Sequence, residues 1–170
     1  MRVHFPGTFD TLSVLAQEGS FPISGGWGFA VTQALRDSFT SGEEEEIAEY
    51  AFDDAALASL RVLLQGSQRF PHRRVVVSAD IPDAAVEGAE HMGDSVVAVA
   101  MESVPMKLIA AIHVDIAESE PATAKAMEAI VAADAGDEGA ELTVGDAMDN
   151  YLAWYAPDEL ALLTTDLDAN

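Results

Sequence analysis

The stretch Arg73-Arg74-Val75-Val76-Val77-Ser78-Ala79-Asp80-Ile81-Pro82 decides how the rest of the chain is read. Val75, Val77, Ala79 and Ile81 recur at every second position, with Arg74, Val76, Ser78 and Asp80 between them. Successive side chains of an extended strand point to opposite faces. The pattern therefore predicts a strand over residues 73–81 with one apolar face and one mixed face. Pro82 stops it, because proline cannot donate to a ladder.

Working outward, residues 83–94 are polar and predict a loop. Residues 95–101 and 107–115 read as two more strands, joined near Ser103-Val104-Pro105 by a connection short enough for a hairpin. Upstream, residues 2–5 form a short strand that Pro6-Gly7 turns, and Thr8 caps a helix with Phe9, Leu12, Leu15 and Ala16 on one face. Residues 27–31 suggest a second strand and 32–39 a short helix. The run Glu43-Glu44-Glu45-Glu46 opens a helical stretch, where acids complement the backbone dipole. Asp53 or Asp54 is expected to cap a second segment carrying Leu57, Leu60, Leu63 and Leu64 as its buried stripe.

Ser119-Glu120-Pro121 starts a helix with Ala124, Met127, Ile130 and Val131 on its apolar face. Residues 134–141 are acidic and glycine-containing and predict a mobile loop. Residues 151–155 can be a strand, and Pro157-Asp158-Glu159-Leu160 opens a last short helix. These elements predict an α+β fold: a single domain over residues 1–163, with one mixed sheet of about five or six strands and packed helices. Residues 164–170 are expected to be a flexible C-terminal tail.

Thirty acids face eight bases, a formal net charge of −22. A surface of that sign repels phosphate backbones and anionic lipids, so neither nucleic acid nor a membrane is expected as a direct partner. No apolar run approaches the roughly 20 residues that span a bilayer, and residues 1–6 hold no apolar run of the length a secretory leader needs, so none is expected. The chain lacks cysteine, which removes disulfides and thiolate chemistry and fits a reducing cytoplasm.

The chemical candidates are few. His113 and Asp115 share a strand face, and an adjacent carboxylate can orient an imidazole. If the 73–81 strand lies alongside, Arg74, Ser78 and Asp80 join them, giving a base, an anion binder and a hydroxyl. The same residues also fit a solvated or helix-covered polar sheet face with one satisfied histidine. Trp154 and Tyr155 precede a proline-started helix and are candidates for an interaction surface or for the core. Asp134-Ala135-Gly136-Asp137-Glu138-Gly139 lacks the ligand set of a calcium loop, so no metal is expected. Serine-triad, phosphate-loop and dinucleotide patterns are absent, and no cofactor is expected.

Phe5-Pro6-Gly7-Thr8-Phe9-Asp10 resembles the opening of the adenylyltransferases that act on phosphopantetheine and related acceptors, but the Gly-His pair of that family does not follow. A broader likeness runs through residues 29–36, 73–83, His113-Val114-Asp115 with Glu120-Pro121, and Trp154-Tyr155-Ala156-Pro157-Asp158-Glu159-Leu160. In that order these segments resemble an uncharacterised actinobacterial family of small acidic proteins, a domain of unknown function. The resemblance implies a bacterial cytosolic setting and supplies no activity. The expectation is a non-enzymatic domain that binds a protein partner or a second copy of itself. A small-molecule enzyme using the polar sheet face is one alternative. An acidic nucleic-acid mimic that occupies a basic protein is the other.

Overall fold

The alternating stretch forms an interior strand of a seven-stranded sheet. In chain order the elements are β1 (Arg2–Gly7), α1 (Phe9–Glu18), β2 (Ser20–Pro22), β3 (Trp27–Phe29), α2 (Gln33–Ser38), α3 (Glu44–Gln65), β4 (Val75–Asp80), β5 (Val86–Gly88), β6 (Val96–Val99), β7 (Ser103–Pro105), β8 (Ile109–Asp115), α4 (Glu120–Asp134), α5 (Glu138–Met148), β9 (Leu152–Tyr155) and α6 (Leu160–Asp168). The computed structural model describes residues 1–66 and 71–168, with side chains described as far as residue 165.

The large sheet runs β5-β6-β3-β1-β4-β8-β9, and β2 pairs with β7 in a separate two-stranded sheet. Every paired strand is antiparallel. This corrects the expectation of one mixed sheet of five or six strands. Helices separate the early strands, which suggested parallel neighbours, but α1 leads to the small sheet, and α2 and α3 carry the chain from β3 past β1 to β4, so that β1 is inserted antiparallel between them. Four of the strands have only three residues. No period of two can be read over so short a stretch, which is why β5 lies inside the expected loop at 83–94.

The expected hairpin between residues 95–101 and 107–115 does not form. β6 pairs with β3 and β5, and β8 with β4 and β9. Between them β7 leaves the large sheet to set Val104 opposite Phe21, both fully buried. α3 is one continuous helix rather than two segments. Ala51, Ala55, Ala56 and Ala58 favour helix through that region and let it lie close on the sheet. α5 replaces the mobile loop expected at 134–141: Asp137 caps it, accepting from the Ala140 N–H at 2.8 Å, and Val144 and Ala147 are buried. α6 extends to Asp168, into the stretch expected as a tail, and residues 169–170 lie outside the described residues.

The two faces of β4 separate two cores. Val75, Val77, Ala79 and Ile81 join Val3, Phe5, Ile112 and Val114 beneath α1 and α6. Each such side chain, fully buried, contributes roughly 1.5–3 kcal/mol of transfer free energy. On the other face, Val76, Phe29 and Val96 meet the alanines of α3. α4 and α5 then pack on α3 through Leu60, Leu63, Met127, Ile130 and Val144. Ser59 of α3 pins helix to sheet: its hydroxyl donates to the Gly7 carbonyl at 2.8 Å and accepts from the Val75 N–H at 3.0 Å. Glycine is required at Gly28 of β3, where a Cβ would stand 2.6 Å from Val3 Cγ1.

Candidate functional site

Arg74, Ser78 and His113 lie on the α3 face of the sheet, as their alternation implies, but the five candidates, with Asp80 and Asp115, divide into three groups. At one end of β4, Arg74 and Asp115 form a buried ion pair. Asp115 accepts from the Arg74 backbone N–H at 2.8 Å, from Nε at 3.0 Å, from Nη2 at 2.7 Å and from the Thr123 hydroxyl at 2.8 Å. Arg74 Nη2 also donates to the Asn150 carbonyl at 2.8 Å. The pair joins β4, β8, α4 and the turn before β9, and its polar groups are satisfied by one another.

At the other end, Asp80 is exposed and accepts from Arg2 Nε at 2.7 Å and Nη2 at 3.3 Å. That hydrogen bond holds its carboxyl below the usual range. Six residue steps separate Arg74 from Asp80, roughly 20 Å at a strand rise of about 3.3 Å per residue. The structure therefore does not bring them together.

Between these ends lies a third group that includes a residue outside the sequence candidates. β1 pairs with β4 so that His4 stands opposite Ser78. Ser78 Oγ lies 2.7 Å from His4 Nδ1 and 3.3 Å from His113 Nε2. One hydroxyl can donate to one ring and accept from the other. Phe52 of α3 covers both rings edge-on, 5.5 Å from His4 and 4.7 Å from His113 between centroids. Burial first, then the neighbouring positive charges, lower both imidazoles from 6.5 to about 4. Both rings are therefore neutral at pH 7. Ser78 is 1 % exposed, so its hydroxyl cannot be reached by an acyl or phosphoryl substrate.

His113 also lines a cleft of about 570 Å³ between α3 and the segment entering β9. Glu49, Asp53 and Asp149 stand on its walls, with Phe52, Tyr151 and Leu152. Burial first, then Glu49 and Asp54, raise the Asp53 carboxyl above its ordinary value, and Arg74 opposes them. Among the described residues none of these three carboxylates has an ion-pair partner, whereas all five described arginines do.

β9 forms one edge of the sheet, and Trp154 on it is 60 % exposed. The register sets Trp154 opposite His113 and Leu152 opposite Asp115, so both side chains share the cleft's face. Tyr155, opposite Ile112, is half-buried and packs against the first core. Tyr151, which is not among the sequence candidates, is 68 % exposed.

Among the described residues, no helix is long and apolar enough to cross a membrane. Nor is any group of three or more His, Cys, Asp or Glu side chains among them placed to hold a metal ion. Fold and site together define an antiparallel α+β domain with most of its sheet-face polar groups paired internally and an aromatic edge strand beside an acidic cleft. The chain belongs to the Family of unknown function (DUF6912), whose model matches residues 1–164. Searches of curated proteins and of solved structures gave no match.

Proposed function

We propose that this is a non-enzymatic, cytosolic protein-interaction domain that docks its partner on the β9 edge around Trp154 and Tyr151. One observation carries the reading: a tryptophan 60 % exposed on an edge strand, when tryptophan is otherwise mostly buried. Arg74, Asp115 and Asp80 are taken up by partners within the chain, which further favours binding over chemistry.

A photo-reactive amino acid at position 154 tests this in the source cell, with position 142 on α5 as a control, Leu142 being 71 % exposed. The expected result is an adduct at 154 and none at 142, to one protein whose purified form binds at least tenfold more weakly to Trp154→Ala. Equal adducts at both positions, or none at 154, would overturn the reading.

A small-molecule site remains the second reading, because His113 Nδ1 has no hydrogen bond to a described residue and the ring lines the cleft. It predicts a thermal shift with a metabolite that disappears in His113→Ala. A shift that survives the substitution would remove it.

A further inference from the structure

The outward backbone groups of β9 can be assigned from the ladder. The Asp115 N–H donates to the Arg74 carbonyl at 3.0 Å, so the Asp115 backbone faces β4. Backbone direction alternates along an antiparallel strand, so Val114 and Ile112 face β9 and bond to Ala153 and Tyr155, their register partners. The N–H and C=O groups of Leu152 and Trp154 therefore point away from the sheet. No backbone bond joins them to any described residue.

The opposite edge is different. β5 carries Glu87 at its centre, a charge of the kind that blunts an exposed edge. Leu152-Ala153-Trp154-Tyr155 contains neither a charge nor a proline. This edge is a template for one more strand, and a residue added opposite Trp154 would place its side chain on the cleft's face.

Charge selects the occupant. The cleft wall presents Glu49, Asp53 and Asp149, and every described arginine is already held in an ion pair. A second copy of the chain would bring another −22. A basic segment brings the charge that the cleft lacks, and an indole face accepts a cation from it.

We propose that the β9 edge takes an extended basic segment of a partner protein as an eighth strand. A lysine or arginine opposite Trp154 faces the carboxylates of Glu49, Asp53 and Asp149. This rests on the docking surface proposed above and adds its chemistry: main-chain pairing for affinity, and cation recognition for specificity.

The test uses the full chain and synthetic octapeptides followed by fluorescence anisotropy at 0.15 M salt. One peptide alternates Lys with Val or Thr. A second replaces each Lys by Glu. A third is the Lys peptide N-methylated at alternate amides, which keeps its charge and blocks strand pairing. The Lys peptide is expected to bind, the Glu peptide not to bind, and N-methylation to weaken binding at least tenfold. Glu49→Gln with Asp53→Asn, both exposed, should weaken binding at least fivefold. Trp154→Pro, which removes an outward N–H, should weaken it more than Trp154→Ala.

Equal binding of the N-methylated peptide would reduce the effect to charge attraction and overturn strand addition. Equal binding of the Glu peptide, or no binding by any of the three, would overturn the basic occupant. Sedimentation of the chain as a dimer that Trp154→Pro dissociates would make a second copy the occupant instead. If Trp154→Pro fails to fold, the N-methylated peptide and the carboxylate variants still decide. A partner cross-linked at 154 alongside failed peptides would sink this inference alone, and absence of that cross-link would sink the docking surface itself.

Discussion

Replacing Asp115 with leucine tests whether the Arg74–Asp115 pair is part of the fold or a ligand site. Both side chains are essentially inaccessible, at 1 % and 0 % exposure. The substitution removes the acceptor for three donors of Arg74 and for the Thr123 hydroxyl. It leaves a buried guanidinium whose remaining oxygen partner is the Asn150 carbonyl. Breaking a buried pair from one side costs about 3–5 kcal/mol, against a whole-domain stability of about 5–15 kcal/mol. With a urea slope of about 2 kcal/mol per molar, the midpoint should fall by roughly 2 M.

The double variant Arg74→Met with Asp115→Leu sharpens the test. It removes the stranded charge but leaves the residue-74 N–H and the Thr123 hydroxyl without an acceptor, and each such group costs about 1–3 kcal/mol. The double variant should therefore be more stable than Asp115→Leu alone, by about 2 kcal/mol, yet less stable than the native chain. The assay is urea unfolding followed by tryptophan fluorescence and far-ultraviolet circular dichroism. A midpoint for Asp115→Leu within 0.3 M of native, the order of about 0.5 kcal/mol, would refute the reasoning and return the pair to the ligand candidates.

Acid should weaken the fold through His4 and His113. Both are held at about 4 in the folded chain against 6.5 when unfolded, so the unfolded chain takes up protons first. The loss begins as pH falls through 6.5, continues to about 4 and then levels. It amounts to at most about 3 kcal/mol per ring, less for solvent screening at these partly exposed sites. Asp53 and Asp54, raised by burial, work in the opposite direction over the lower part of that window. Melting temperatures between pH 7.5 and 4.5 should show a steeper decline for the native chain than for His4→Gln/His113→Gln, and parallel curves would count against the imidazoles. Ser59→Ala should cost about 1–3 kcal/mol in urea, because it strands the buried Val75 N–H. Gly28→Ala should cost about 1–3 kcal/mol by overpacking against Val3 and Phe5, and an unchanged midpoint would show that β1 and β3 can separate without penalty.

The local rules that were legible were those with enough residues to express a period. Residues 73–81 gave an interior strand and both its faces, and the Thr8 cap of α1 stands as read. The three-residue strands carried no period, and the acidic stretch at 134–141 hid the start of a helix whose buried residues, Val144 and Ala147, lie beyond that stretch. Alternation placed Arg74, Ser78, His113 and Asp115 on defined faces, but distance along β4 separates Asp80 from Arg74, and no local pattern states pairing partners. His4 illustrates the gap. Its own strand shows only that it faces away from Val3 and Phe5, and the β1–β4 register alone sets it against Ser78.

Edge strands usually defend themselves with charges or prolines inside the strand, and β5 does so with Glu87. β9 has no such defence, yet its sequence joins the rest of an acidic chain. A charge of −22 on each copy opposes edge-to-edge pairing of identical molecules over the roughly 8 Å that physiological salt leaves unscreened. Repulsion spread over the whole surface can thus do what a lysine in the strand would do, with one difference. A lysine in β9 would repel basic and identical partners alike by blocking the edge, whereas a diffuse negative field excludes only acidic ones. The uncharged edge, the cleft carboxylates and the internal pairing of the arginines then have one common consequence. If the β9 edge docks the basic segment proposed above, they leave main-chain donors and acceptors open to a segment of opposite charge while opposing pairing with identical copies.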